Sequence, residues 1–103
     1  DSADMARIVY IGGEATAAGF RLAGLDVRQS DAEAAPVLLR QVLAERPECV
    51  LLDGTLVDSI PPSLLAKALE GEAALFGVVP DVRGRGAPPD LARYVRDALG
   101  LEA

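Results

Sequence analysis

The chain of 103 residues makes one domain, half of it apolar but only 4% aromatic, so Ala, Val and Leu must fill a single core. A formal net charge of −6 argues against nucleic acid or an anionic membrane surface as a direct partner. The one cysteine, Cys49, excludes an internal disulfide and fits a reducing compartment, and no apolar run approaches the roughly 20 residues of a membrane span.

The start, Asp1-Ser2-Ala3-Asp4, lacks the basic and apolar regions of a signal peptide; Met5 reads as a native start, with residues 1–4 a cloning remnant. Ile8-Val9-Tyr10-Ile11 runs straight into Gly12-Gly13, the pattern of a strand buried on both faces that ends in a tight turn. Ala15 to Ala23 is helix-compatible and stops at Gly24, a left-handed cap. Leu25-Asp26-Val27-Arg28 alternates as a short edge strand does.

A helix is expected between Asp31 and Arg46, with Ala35, Leu38, Leu39, Val42 and Leu43 forming one apolar stripe. Asp31 caps its start and Pro47 ends it, while Pro36 makes the first turn irregular. Cys49 to Leu52 is the third strand, ending at Asp53-Gly54, and Thr55 to Ser59 is a helical turn or loop. Pro61 suits the first position of a helix carrying Leu64, Leu65, Ala68 and Leu69 and closing at Gly71. Ala74 to Val79 is the fourth strand. Residues 81–89 read as a flexible loop before a last helix, 90–99, with the stripe Leu91, Tyr94, Val95, Ala98 and Leu99 and a stop at Gly100. Four β-α units with right-handed crossovers give a small flavodoxin-like α/β fold, a parallel sheet in order 2-1-3-4 with helices on both faces.

Ligands of this fold bind beyond the carboxyl ends of the strands, here at Gly12-Gly13-Glu14, Asp53-Gly54-Thr55 and Pro80-Asp81. A phosphate loop is disfavoured, because no Lys follows the glycines and Glu14 places negative charge where the anion would sit. Gly12 and Gly13 are better read as making a tight turn. A phospho-receiver needs paired acids after the first strand and a Lys after the last; here Glu14 stands alone and Lys67, the single Lys, lies inside a helix. Asp53 therefore reads as a turn or capping residue. The chain has no histidine, and Cys49 has no base in sequence reach, so no catalytic, metal or cofactor site is expected. Arg83-Gly84-Arg85-Gly86 is the only cationic cluster in the linear sequence. It reads as a solvated loop or as a hinge whose two arginines reach an acidic partner.

Gly12, Thr16, Gly19-Phe20 and Leu22-Ala23-Gly24, set behind the strand Ile8 to Ile11, resemble the amino-terminal signature of the F subunit family of the V-type/A-type (vacuolar/archaeal-type) rotary ATPases. The resemblance covers the whole chain, strongest over Ile8 to Leu25 and weaker at Val50 to Asp53, Val78-Val79-Pro80 and Ala98-Leu99-Gly100. It implies a non-catalytic central-stalk component without cofactors, cytoplasmic and peripheral to the membrane. Its implied partners are the long coiled-coil D subunit and the other central-stalk components, and its implied role is to couple ATP hydrolysis or synthesis to ion translocation. It also implies a carboxyl-terminal helix that lies against the shaft and changes position, which makes Arg83, Arg85, Leu91, Tyr94, Val95, Ala98 and Leu99 the expected interface. That stripe serves equally to complete the protein's own core. Within the signature, Gly19 is expected to allow close helix packing and Phe20 and Leu22 to supply apolar contacts. Two departures affect local contacts only: Gly13 stands where the family usually has Asp, and Pro61-Pro62 interrupts a segment that is often helical. The alternative is a stand-alone signalling or ligand-binding domain of the same fold without phosphorylation chemistry.

Overall fold

A computed structural model of the chain describes residues 7–71, 74–81, 97, 99 and 100. Its elements run β1 (Ile8–Gly12), α1 (Glu14–Leu22), β2 (Asp26–Gln29), α2 (Ala35–Ala44), β3 (Cys49–Asp53), a 3₁₀ helix (Gly54–Ser59), α3 (Pro62–Leu69) and β4 (Leu75–Val79). The four strands form one all-parallel sheet in the order β2-β1-β3-β4, as the alternation of segments predicts. The fold is a small flavodoxin-like α/β domain.

Strand alternation assigns residues to the two faces of this sheet. Val9 and Ile11 of β1 are in register with Val50 and Leu52 of β3, and these four are buried in one cluster with Leu39 and Val42 of α2 and Leu64 and Leu65 of α3. Each such aliphatic side chain contributes roughly 1.5–3 kcal/mol by leaving water. Tyr10 lies between Val9 and Ile11 and so points to the opposite face. There it meets Phe20 of α1 with ring centroids 4.5 Å apart. Helices α2 and α3 thus cover one face and α1 the other, the arrangement that right-handed crossovers require for this strand order.

Three local expectations need correction. Helix α2 starts at Ala35, not Asp31, because a ring at Pro36 is tolerated only in a first helical turn. Asp31 instead accepts a hydrogen bond from the Ala34 N–H at 2.8 Å and caps the turn leading into the helix. Pro61 is extended and precedes α3, so Pro62 takes the first helical position. The left-handed caps hold at Gly24 (φ 92°) and Gly100 (φ 74°), but α2 closes on a non-glycine, Arg46, at φ 55°.

An ion network that no sequence motif announced fastens the β2 edge of the sheet. Arg28 pairs with Asp26 at 3.0 Å and with Glu45, just past the end of α2, at 2.9 Å. Arg7 pairs with the same two carboxylates. Hydrogen bonds from Arg28 and then Arg7 hold Glu45 down at about 2, against an ordinary 4.5, and shift Asp26 downward as well. Both carboxyls are depressed in the folded state, so their contribution is complete above their unfolded pKa values and is lost as pH falls through the folded ones. The melting temperature should therefore drop between about pH 4.5 and pH 2. Glu45→Gln should melt lower at neutral pH and show a shallower acid slope; matching slopes for the two proteins would show that the network does not couple to folding.

Candidate functional site

The carboxyl ends of β1 and β3 converge on a buried polar cluster rather than an open site. Asp53 is 3% exposed. Its Oδ1 accepts from the Thr55 N–H at 2.8 Å and from the Thr55 hydroxyl at 2.7 Å, which caps the 3₁₀ helix. Its Oδ2 faces the Gly13 N–H and the Tyr10 hydroxyl, each at 3.4 Å. Both oxygens are engaged, so Asp53 is the capping residue its position before Gly54 predicts. A receiver carboxylate has to be open to an incoming phosphoryl group, and this one is closed.

Tyr10 is the member of this cluster that sequence reasoning missed. It is fully buried, and its phenol reaches over Gly12 toward Asp53. Burial, then the negative charge of Asp53, pushes its pKa up to about 12, while a hydrogen bond from the Thr16 hydroxyl acts in the opposite sense. The phenol therefore stays protonated and serves as a donor inside the fold. The reading of Gly12 as a turn residue is corrected here. Gly12 belongs to β1 and is absent from the residues at positive φ. It is glycine because a Cβ would lie 2.8 Å from Asp53 Cβ and nearer still to the Tyr10 phenol.

The other signature residues share one side of α1. Thr16, Gly19, Phe20 and Ala23 follow each other at helical spacing and, with Pro80 and Asp81 after β4, line an apolar cleft of about 390 Å³. Gly19 does not serve close packing among the described residues, since no described atom lies within 4 Å of where its Cβ would be. Leu22 departs from its expected role more sharply. It is 90% exposed at the end of α1 and adds nothing to the core. Of the expected carboxyl-terminal interface, Arg83, Arg85, Leu91, Tyr94, Val95 and Ala98 lie outside the described residues. Leu99 is described, helical and 38% exposed.

The sequence offers Arg83-Gly84-Arg85-Gly86 as its only cationic cluster, but the fold assembles another among the described residues. On the other face of the sheet, Arg40 and Arg46 from α2 and its end meet Lys67 from the last turn of α3 around a second cleft. These residues are separated in sequence, so only the packing of α2 on α3 reveals them.

Among the described residues no three His, Cys, Asp or Glu side chains are grouped to hold a metal ion, and no helix is long and apolar enough to cross a membrane. No protein-family model matches the chain, and no curated protein matches it. The fold and the positions of the signature residues within it are therefore what bear on function.

Proposed function

We propose that the chain is the non-catalytic F subunit of a prokaryotic V/A-type rotary ATPase. In this role it binds the coiled-coil D subunit of the central stalk and helps couple ATP hydrolysis or synthesis to ion translocation. It would act on the cytoplasmic side, held to the membrane only through the complex. The observation that carries the reading is the state of the signature helix. Thr16, Gly19, Phe20 and Ala23 line an apolar cleft and Leu22 is almost fully exposed, where the sequence predicts close packing at Gly19 and apolar contacts at Phe20 and Leu22. The apolar cleft and the exposed Leu22 belong to one short helix, and together they give a partner apolar surface to cover on it. The flavodoxin-like frame is compatible with the reading, and the closed state of Asp53 speaks against phosphoryl transfer at that carboxylate, chemistry that neither this reading nor the stand-alone signalling or ligand-binding alternative requires.

The test is complex formation with the purified coiled-coil shaft protein of a V/A-type ATPase, followed by gel filtration and titration calorimetry. A one-to-one complex is expected, and Leu22→Glu should weaken it by about tenfold or more while leaving the circular dichroism spectrum and melting temperature unchanged, because Leu22 is exposed and adds nothing to the core. No complex at micromolar concentrations, or a complex indifferent to Leu22→Glu, would count against this reading.

A further inference from the structure

The cleft between α2 and α3 combines an apolar floor with an uncompensated basic rim. Leu43, Ala44 and Leu64 form the floor, Arg40, Arg46 and Lys67 the rim, and the volume is about 360 Å³. None of the ion pairs among the described residues includes any of these three cations, whereas Arg7 and Arg28 are both paired. Among the described residues no acidic side chain lines the cleft, in a chain whose formal charge is −6. The apolar surface also continues beyond it: Val37, one turn before Arg40 on α2, is 55% exposed.

We propose that this cleft docks an acidic amphipathic helix of a partner protein. Charge complementarity selects the sign of the occupant, and the floor selects its form. The residues that line the cleft on α2, Arg40 to Ala44, span about 6 Å of helix, and Val37 extends the surface to about 10 Å, the length of two turns of an apposed helix. Leucines of such a helix would sit over Leu43 and Leu64, while carboxylates on either flank would meet Arg40 and Lys67. A compact anion such as phosphate fits less well. The rim cations Arg46 and Lys67 lie at the carboxyl ends of α2 and α3, where the helix ends carry partial negative charge rather than N–H donors. The three cations stand on long, exposed stems, suited to a row of carboxylates rather than to one small ion. The face is the one opposite α1, so the proposal is independent of the docking argued above.

The test uses the full chain and two synthetic 18-residue helical peptides, one with a leucine stripe flanked by glutamates and one with the glutamates replaced by lysines. Calorimetry gives affinities and amide chemical-shift mapping gives the site. The acidic peptide should bind with shifts concentrated on residues 37–46 and 62–69, should weaken severalfold when salt rises from about 0.05 to 0.3 M, and should lose about tenfold or more with Arg40→Glu/Lys67→Glu. Both residues are exposed, so the double variant should melt normally, and Arg40→Gln/Lys67→Gln should give an intermediate affinity. The lysine peptide should not bind. Several results would overturn the proposal: no binding of the acidic peptide, equal binding of both peptides, shifts elsewhere on the protein, or displacement of the peptide by millimolar inorganic phosphate. So would self-association of the chain through this face in gel filtration.

Discussion

Replacing Gly12 with alanine is expected to destabilise the protein by about 1–3 kcal/mol, the range for overfilling a close-packed core. The new Cβ would come within 2.8 Å of Asp53 Cβ and closer to the Tyr10 phenol, and neither neighbour can yield easily. Tyr10 is fully buried beneath Phe20, and Asp53 is fixed by Thr55. Backbone strain plays no part, because Gly12 has an ordinary strand conformation. The steric origin can be isolated by a double-mutant cycle. In a Tyr10→Leu background, which removes the phenol, Gly12→Ala should cost clearly less than in the wild type. Urea denaturation measures all four proteins. Equal costs in both backgrounds would show that the phenol is not what excludes the methyl group.

Asp53→Ala is expected to lower stability by about 2–3 kcal/mol. It removes the cap of the 3₁₀ helix and leaves the Thr55 and Gly13 N–H groups and the Tyr10 hydroxyl without their acceptor. Asp53→Asn keeps the shape and one acceptor oxygen, so its loss should be smaller. The charge makes a separate prediction. The carboxylate helps to hold the Tyr10 phenol at about 12, so Asp53→Asn should lower that value, leaving the part due to burial. The ultraviolet spectrum of tyrosinate, followed against pH with Tyr94 replaced by Phe so that Tyr10 is the one phenol left, reads this directly. A phenol that titrates unchanged in Asp53→Asn would mean that the 3.4 Å approach carries no electrostatic coupling.

The frame of this protein is written locally. Short apolar runs ending in Gly12, Asp53 and Pro80 read as strands, the first two largely buried and the third half-buried, and their alternation with helical stripes points to a parallel sheet with right-handed crossovers. Leu39, Val42, Leu64, Leu65 and Ala68 occupy the core positions that their spacing predicts, because a 3.6-residue repeat fixes which side of a helix is apolar before any packing occurs. The capping role of Asp53 is equally local, since its partner Thr55 is two residues away.

What the sequence by itself did not determine is every feature that depends on two distant segments meeting. Gly12 reads as a turn until Tyr10 and Asp53 are seen to fill the space over it. Leu22 is expected to supply apolar contacts until the axial rotation of α1 turns it to solvent. The network of Arg7, Asp26, Arg28 and Glu45 and the basic rim of Arg40, Arg46 and Lys67 draw their members from different elements. Each has a periodicity or spacing that looks like scattered surface charge. Charge has no preferred repeat along the chain, unlike burial, so only the docking of α2 against the sheet and against α3 decides which charges become neighbours.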